Sequence, residues 1–280
     1  MQPSAPSRYT PSPRPTYDVP TLIRHATVRR HIWGDQESRL VADWLYASTD
    51  KLHVLLFGLA PGKWFKHSPA YRTVFGADEV LFVLSGSMLA SNPENGEIVG
   101  CEPGESVFFR QDTWHHVYAR GSEPLRILEF FAPPPSTGTS GAYAAQRPYL
   151  ETARYSRDEL LCGANPPRPA TLRHITREAH SLRMEGELIV GIVASTEHLT
   201  VAHIEVPPGA QGVATSHGGD ALIFAIEGEL MIRSWWREES TTFEISPRDA
   251  VFLPEGSTYE VLCFGGAARA LLGVAPKYLP

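Results

Sequence analysis

Two stretches of sequence decide the fold: EVLFVLSG at 79–86 and ALIFAIEG at 221–228. Each is a short, mostly apolar run closed by glycine, which is typical of a buried strand that ends in a turn. Many short strands separated by turns predict an all-β sandwich or barrel. Helical periodicity is scarce, and only 40–46 and 156–161 have room for a helical turn or two. Six further runs share the strand pattern: LHVLLFGLA (52–60), ESVFFR (105–110), LRILEFFA (125–132), ELMIRSWW (229–236), DAVFLP (249–254) and ARALLGVA (268–275).

The two halves of the chain repeat each other. GLAPG (58–62) matches EVPPG (205–209), and VLSGSML (83–89) matches AIEGELM (225–231). PGESVFFRQDTWH (103–115) matches SPRDAVFLPEGSTY (246–259), and LRILEFFAPP matches ARALLGVAPK. Because the four pairs occur in the same order, the sequence predicts a tandem duplication of a β unit of roughly 100 residues.

The composition of the segments between these runs predicts how the chain is divided into domains. Residues 1–20, rich in Pro and Ser, are predicted to form a flexible arm. Residues 21–133 and 171–280 are predicted to form the two β domains. Residues 134–170, which include PPPSTGTSG and GANPPRPA, have the composition of a linker.

The paired segments resemble the cupin family, and the resemblance covers most of both halves. One cupin motif runs Gly, five residues, His-x-His, three or four residues, Glu, six residues, Gly; a second ends in Pro-x-Gly, two residues, His. Here Glu79 and Gly86 match the end of the first motif, and Gly104 to His115 match the second, with Asp112 where the family often has Gly. The resemblance implies two tandem cupin barrels of the jelly-roll (double-stranded β-helix) type, that is, a bicupin.

The His-x-His pair is where the first half departs from the motif. Counted back from the motif glycine, its positions hold Thr73 and Phe75, which are not useful metal ligands. Counted forward from the Pro-Gly turn, His67 lies within one residue of the first histidine. The interval before Glu79 is five residues longer than in the second half, which indicates an insertion within KHSPAYRTVFGAD (66–78). We therefore expect His67 to reach the site while the loop behind it bulges.

The resemblance thus implies one divalent metal ion held by His67, Glu79 and His115. Two neutral imidazoles and a carboxylate leave coordination positions open for water, substrate or O₂. Fe(II) is the favoured ion, and Zn, Ni or Mn are alternatives. The next residue, His116, is expected to point to the opposite face of the strand.

The second half keeps the backbone motifs and loses the ligands. His217 stands at the second histidine of the pair, with Thr215 at the first, Ala221 at the glutamate and Tyr259 at the last histidine. His217 and Asp220 are weak candidates for a second metal site, because two ligands rarely hold an ion. We expect this barrel to serve packing and to form walls of the dimer or of the substrate cavity.

Near the first site, Tyr71, Arg72 and Trp114 are candidates for substrate binding. Arg72 on the inserted loop suits a carboxylate or phosphate. The favoured function is an Fe(II) dioxygenase acting on a small organic molecule. A redox-neutral lyase, isomerase or polyketide-type cyclase is the first alternative, and a non-catalytic small-molecule-binding cupin is the second.

The amino-acid composition limits the classes of partner and the compartment that we expect for this protein. The formal charge is −6, and no basic stripe is present, so nucleic acid is not expected as a partner. No apolar stretch approaches the roughly 18 residues that span a membrane. Three scattered cysteines and no secretory leader predict a cytoplasmic protein. Barrels of this family associate through their outer sheets, which implies a homodimer.

Overall fold

A computed structural model describes residues 13–35, 39–66, 75–133 and 170–279. Within these ranges the chain is built from β-strands, with one-turn 3-10 helices at His25–Thr27 and Arg177–Ala179. None of the helices in these ranges is long and apolar enough to cross a membrane. The predicted all-β class is therefore confirmed.

The strands follow one another at the following positions. In the first half they are β1 (Thr21–Ile23), β2 (Arg29–Asp35), β3 (Arg39–Ser48), β4 (His53–Leu59), β5 (Trp64–Lys66), β6 (Asp78–Ser85), β7 (Ser87–Asn92), β8 (Glu97–Cys101), β9 (Ser106–Phe109), β10 (His116–Arg120) and β11 (Leu125–Ala132). In the second half they are β12 (Arg173–Ile175), β13 (Ser181–Glu185), β14 (Leu188–Ser195), β15 (Thr200–Val206), β16 (Thr215–Ser216), β17 (Asp220–Glu227), β18 (Leu230–Trp236), β19 (Glu239–Ile245), β20 (Ala250–Leu253), β21 (Thr258–Leu262) and β22 (Ala268–Ala275).

Each of the two barrels consists of a seven-stranded and a four-stranded sheet. The first has the spatial orders β12-β9-β6-β11-β4-β3-β2 and β5-β10-β7-β8. The second has β1-β20-β17-β22-β15-β14-β13 and β16-β21-β18-β19, which are the same orders in corresponding strands. The internal repeat is therefore real, and the chain consists of two jelly-roll barrels in tandem.

The two barrels exchange a strand. β1, at the start of the chain, pairs with β20 of the second barrel, whereas β12 pairs with β9 of the first barrel. Both exchanged strands lie on the other side of the domain boundaries at 133 and 171, so those boundaries do not separate the two sheets. The boundaries themselves stay a prediction.

The buried apolar side chains form three cores, and each of the central strands β6 and β17 contributes to two of them. Along β6, Leu81 and Val83 point into the first barrel, while Val80 and Phe82 point into a core that both barrels share. This alternation buries β6 on both faces and explains its unbroken apolar sequence. β17 is buried in the same way, with Phe224 in the shared core.

The shared core brings the backbones of the barrels close together. A Cβ on Gly273 of β22 would lie 2.3 Å from the ring of Phe130, the residue at the corresponding position of β11. Only glycine admits this contact.

Polar contacts frame the shared core on two opposite sides. Asp78 at the start of β6 accepts a hydrogen bond of 2.6 Å from Thr196 in the β14–β15 turn of the other barrel. At the corresponding place in β17, Asp220 accepts one of 2.9 Å from Thr49 in the β3–β4 turn. Each barrel therefore fixes the first residue of the other barrel's central strand.

One expectation about local structure needs correction. The stretch 40–46 lies in strand β3, because its apolar side chains pack across the sheet. In the described part of the arm, 13–20, Arg14 donates to the Thr49 carbonyl at 2.9 Å, and Tyr17 donates to the Tyr46 carbonyl at 3.0 Å. The flexibility of the arm as a whole stays a prediction. Residues 1–12, the helical candidate at 156–161 and nearly all of the linker lie outside the described residues.

Because both barrels share a core and exchange strands, we expect them to unfold in one transition. Phe224→Ala should lower the free energy of unfolding by about 3–5 kcal/mol, the usual cost of a large cavity. The measurement is denaturant unfolding followed by tryptophan fluorescence, repeated in a Trp235→Phe/Trp236→Phe background that reports the first barrel alone.

Phe264→Ala is the matched control, since that side chain is 74% exposed, and it should change stability by less than about 0.5 kcal/mol. Separate midpoints for the two barrels would contradict the shared core.

Candidate functional site

Glu79 and Glu129 face each other across two paired strands inside the first barrel. Glu79 on β6 lies opposite Phe131 of β11, and Glu129 on β11 lies opposite Leu81. This diagonal relation puts both carboxyl groups on the same face of the sheet, and that face is the barrel interior. The two carboxyl groups are hydrogen-bonded to each other.

His115 approaches the carboxyl pair from the opposite sheet. The turn before it is closed by Asp112, whose φ of 65° takes the left-handed conformation that Asp tolerates better than most residues. His115 Nδ1 lies 3.2 Å from the Thr113 carbonyl oxygen and donates to it. Nε2 is thereby left with its lone pair directed at Glu79, whose Oε2 lies 3.9 Å away.

Glu79, His115 and Glu129 place their ligand atoms within 4.8 Å of one another, and all three are buried. Oε2 of Glu79 has no hydrogen-bond partner, although an unpaired buried carboxylate oxygen is costly. Two carboxylates and a neutral imidazole are donors that suit a divalent cation. The residues present therefore fit a metal ion.

Burial controls the protonation of this cluster. Desolvation raises the pKa of Glu79 well above its usual range, and the carboxylates of Glu129 and Asp78 add to this effect. Burial and the neighbouring Asp43 raise the pKa of Glu129 to about 8. Burial alone raises the pKa of Asp43 to about 8, and burial together with the neighbouring His116 lowers the pKa of His115 to about 3. These shifts favour the protonated, neutral form of the carboxyl groups.

A cavity with about 80 Å³ of free space opens beside the cluster. Asp43, His115 and Glu129 form its polar end. Among the described residues that line it, none is a lysine or arginine. The remaining walls are apolar or aromatic: Trp33, Val41, Leu55, Phe57, Phe65, Phe75, Leu81, Val117 and Phe131.

The structure brings only some of the predicted site residues together. Glu79 and His115 meet as expected, and their metal-binding role stays a prediction. His67, Tyr71 and Arg72 lie outside the described residues. Trp114 is buried edge-on against the His116 ring, at 5.7 Å between ring centroids, and it is not among the residues that line the cavity.

Glu129 and Asp43 were missed by the sequence analysis. Glu129 is the one charge inside the apolar run ILEFFA, at a position where the matching run of the second half has Leu272. A comparison of the two repeats could therefore have identified Glu129 as a candidate site residue. Asp43 had no comparable signal, because its segment was interpreted as a helical turn.

The second barrel replaces every polar member of the cluster. By the pairing registers of corresponding strands, the places of Asp43, Glu79, His115 and Glu129 hold Val190, Ala221, Tyr259 and Leu272. This substitution leaves the interior of the second barrel without a carboxylate pair.

His217 and Asp220 each have hydrogen-bond partners elsewhere in the structure. His217 Nε2 accepts from the Tyr259 hydroxyl at 2.8 Å, and Nδ1 donates to the Tyr278 carbonyl at 2.5 Å. Asp220 is bonded to Thr49 and to the Glu255 backbone amide. Their role as weak candidates for a second metal site stays a prediction.

Comparison with known proteins agrees with this architecture. Residues 73–131 match the family model described as Cupin domain. A search of curated proteins finds no match.

Solved structures that resemble the chain include oxalate decarboxylase from Lactobacillus farciminis in complex with formate, with a TM-score of 0.66 and 14% identity, covering 95% of this chain and 88% of that one. HEPD from Streptomyces albus, with 2-hydroxyethylphosphonate and Fe(II) bound, has a TM-score of 0.67 and 12% identity, covering 92% and 76%. Vicilin from hazelnut (Corylus avellana) has a TM-score of 0.61 and 12% identity, covering 91% and 85%. At these identities the likeness shows the fold.

The buried carboxyl groups make stability depend on pH. For Asp43 and Glu129, pKa values of about 8 in the folded protein exceed the unfolded values of about 4. Between pH 4 and 8 the unfolded chain loses protons that the folded chain keeps, so the stability of the metal-free protein should fall as pH rises. Asp43→Asn should remove up to about 1.4 kcal/mol per pH unit of that slope, measured by urea unfolding in EDTA.

Asp18→Asn, which changes an exposed carboxylate, should leave the slope as it is. An unchanged slope in Asp43→Asn would contradict the burial argument.

Proposed function

From a chain that has the bicupin fold and carries a cupin domain in its first barrel, we propose a metal-dependent enzyme that acts on a small, mostly apolar organic molecule. The observation that carries this proposal is the buried cluster of Glu79, His115 and Glu129 at the polar end of an apolar cavity. The fold relatives support it, because Fe(II) is bound in HEPD and Mn(II) centres are described for oxalate decarboxylase from Bacillus subtilis.

Glu79 and His115 would hold the ion, with His67 expected as a third ligand. A divalent ion bound there would polarise a substrate oxygen. His115 is suited to this role because its Nδ1–H is already engaged by Thr113, which fixes the tautomer and the ring.

Glu129 is positioned to move a proton. Its carboxyl group borders both the place of the ion and the cavity, whereas Glu79 lies behind it and does not line the cavity. A bound substrate would therefore meet Glu129, which would accept a proton from a carbon next to the polarised group. The apolar walls exclude water, so the proton stays within the site.

This role favours the redox-neutral class, which comprises lyases, isomerases and polyketide-type cyclases. The apolar walls also select the substrate. With no cationic group among the described lining residues, an uncharged molecule fits better than a small dianion. Arg72, if it reaches the cavity from the inserted loop, would add one carboxylate or phosphate contact.

An Fe(II) dioxygenase is the second candidate. The apolar cavity beside the ligand set favours it, because O₂ is itself apolar and needs an open coordination position. A non-catalytic cupin that binds a small molecule is the third.

We propose, in addition, a homodimer in the cytoplasm. The outer strands β2 and β13 of the two large sheets expose Ile32 and Leu182, which supports association through these edges. Free buried thiols at Cys101 and Cys263 support a reducing compartment.

Metal content tests the site. Protein purified anaerobically should contain one Mn or Fe ion per chain, and His115→Ala should lose it, with affinity weakened by more than about 100-fold. His217→Ala, at the degenerate site of the second barrel, is the matched control and should keep the ion. Elemental analysis and reconstitution measure both. Metal absent from the parent chain, even after reconstitution, would leave a ligand-binding bicupin.

Two probes separate the reaction classes. With Mn(II), the parent should exchange the α-hydrogens of small apolar ketones, from butanone to acetophenone, for deuterium in D₂O, as followed by NMR. Glu129→Gln should lose this exchange by about 100-fold or more and keep the metal. With Fe(II), nitric oxide probes the open position by EPR.

Exchange without O₂ uptake supports the redox-neutral class. A nitric oxide complex together with O₂ consumption, and no exchange, moves the assignment to the oxygenase. Loss of metal in Glu129→Gln would make that residue a ligand and contradict its proton-transfer role.

A further inference from the structure

A second group of metal-ligating side chains lies outside the cavity, where strand β12 crosses onto the first barrel. Cys101 is the last residue of β8, Glu105 follows after a turn, and His174 is the middle residue of β12. His174 pairs with Val107 of β9, so residues far apart in sequence meet at one sheet edge.

The three side chains have the geometry of a ligand set. Their ligand atoms all lie within 4.8 Å of one another, and His174 Nε2 is 2.9 Å from Glu105 Oε2. Donors that share a zinc ion lie about 3–4 Å apart, given bonds of about 2.0–2.3 Å. Cys101 is buried, while the side chains of His174 and Glu105 are 36% and 25% exposed. An ion and a water ligand can therefore enter from the solvent side.

We propose that Cys101, Glu105 and His174 form a zinc site. A thiolate, an imidazole and a carboxylate are all zinc ligands, and a water molecule would complete the tetrahedron. Binding displaces the proton of the Cys101 thiol and breaks the hydrogen bond between His174 and Glu105, so zinc uptake releases a proton.

The second barrel shows that the fold does not require this cluster. By the corresponding pairing registers, the equivalents of Cys101 and His174 are the apolar residues Ile245 and Leu22. The equivalent of Glu105 is Asp249, which binds Arg24 instead. Three potential ligands therefore replace two apolar residues and an ion pair in only one of the two barrels.

The zinc ion would help to hold β12 and the residues just before it against the first barrel. Just before β12, the backbone amides of Thr171 and Leu172 donate to the carboxylate of Glu97 on β8 at 2.9 and 3.2 Å. Asn92 and Asn95 donate to the Thr171 hydroxyl at 2.9 and 3.2 Å, Leu172 is buried in the core of the first barrel, and β12 pairs with β9 over three residues. An ion bridging His174 to Cys101 would add a link at the same edge and keep the exchanged strand in place.

The two sites should select different metals. The cavity offers carboxylate oxygen and imidazole nitrogen, which suit Mn and Fe(II), whereas the edge site adds a thiolate sulfur, which favours zinc. The edge site does not depend on the proposed enzymatic function, since none of its residues lines the cavity.

Cobalt(II) tests the site directly, because a thiolate ligand gives a near-ultraviolet sulfur-to-cobalt charge-transfer band. Titration of the metal-free full chain with CoCl₂ should produce this band, and ZnCl₂ should abolish it. His115→Ala should retain it. Cys101→Ser should lose it, with zinc affinity lowered by more than about 100-fold. His174→Asn should weaken zinc binding without unfolding, since its side chain is partly exposed.

Cys263→Ser is the matched control, because Cys263 is also a free buried cysteine, bonded to the Gly266 carbonyl. It should keep the band. Circular dichroism and melting in EDTA show whether each variant folds. No band in the parent chain, a band that survives Cys101→Ser, or one lost in Cys263→Ser would overturn the proposal, as would unchanged zinc affinity in His174→Asn.

Discussion

The contact between the two barrels is the constraint on which the rest of the molecule depends. Phe130 of the first barrel lies against the backbone of Gly273 in the second, and around them a single apolar core joins both large sheets. At its edge, Thr196 of the second barrel binds Asp78, which also forms an ion pair with Arg110 at 3.2 Å. Asp78 directly precedes Glu79, so the second barrel helps to fix the strand that carries a candidate metal ligand.

This dependence gives the second barrel a structural role. Its interior is apolar where the first barrel is titratable, and its one histidine at a motif position is engaged by Tyr259 and a backbone carbonyl. A barrel of this kind gains stability from burial alone. In the first barrel, by contrast, burial of polar groups costs free energy. Asp43, Glu79 and Glu129 are buried, and no cationic group is found among the described residues that line the cavity beside them.

The cost of burying these carboxyl groups determines the electrostatic properties of the candidate site. Desolvation raises the pKa values of the carboxyl groups and lowers that of His115, so protons or a cation must neutralise the cluster. The same desolvation strengthens any electrostatic interaction with a bound ion or a developing charge. These properties are what the proposed metal binding and proton transfer rest on, and the apolar walls restrict what can reach the cluster.

The sequence alone determined the all-β class, the tandem repeat and the central strands, because short apolar runs and the turn residues that end them are local signals. It also proposed Glu79 and His115 as metal ligands from their match to the cupin motifs, and the structure places them side by side. Only the tertiary structure added Glu129 and Asp43, joined β1 and β12 to the opposite barrels, and gave His217 and Asp220 separate partners. These features depend on which strands pair and in what register, and distant segments settle that through shared burial rather than through any local pattern.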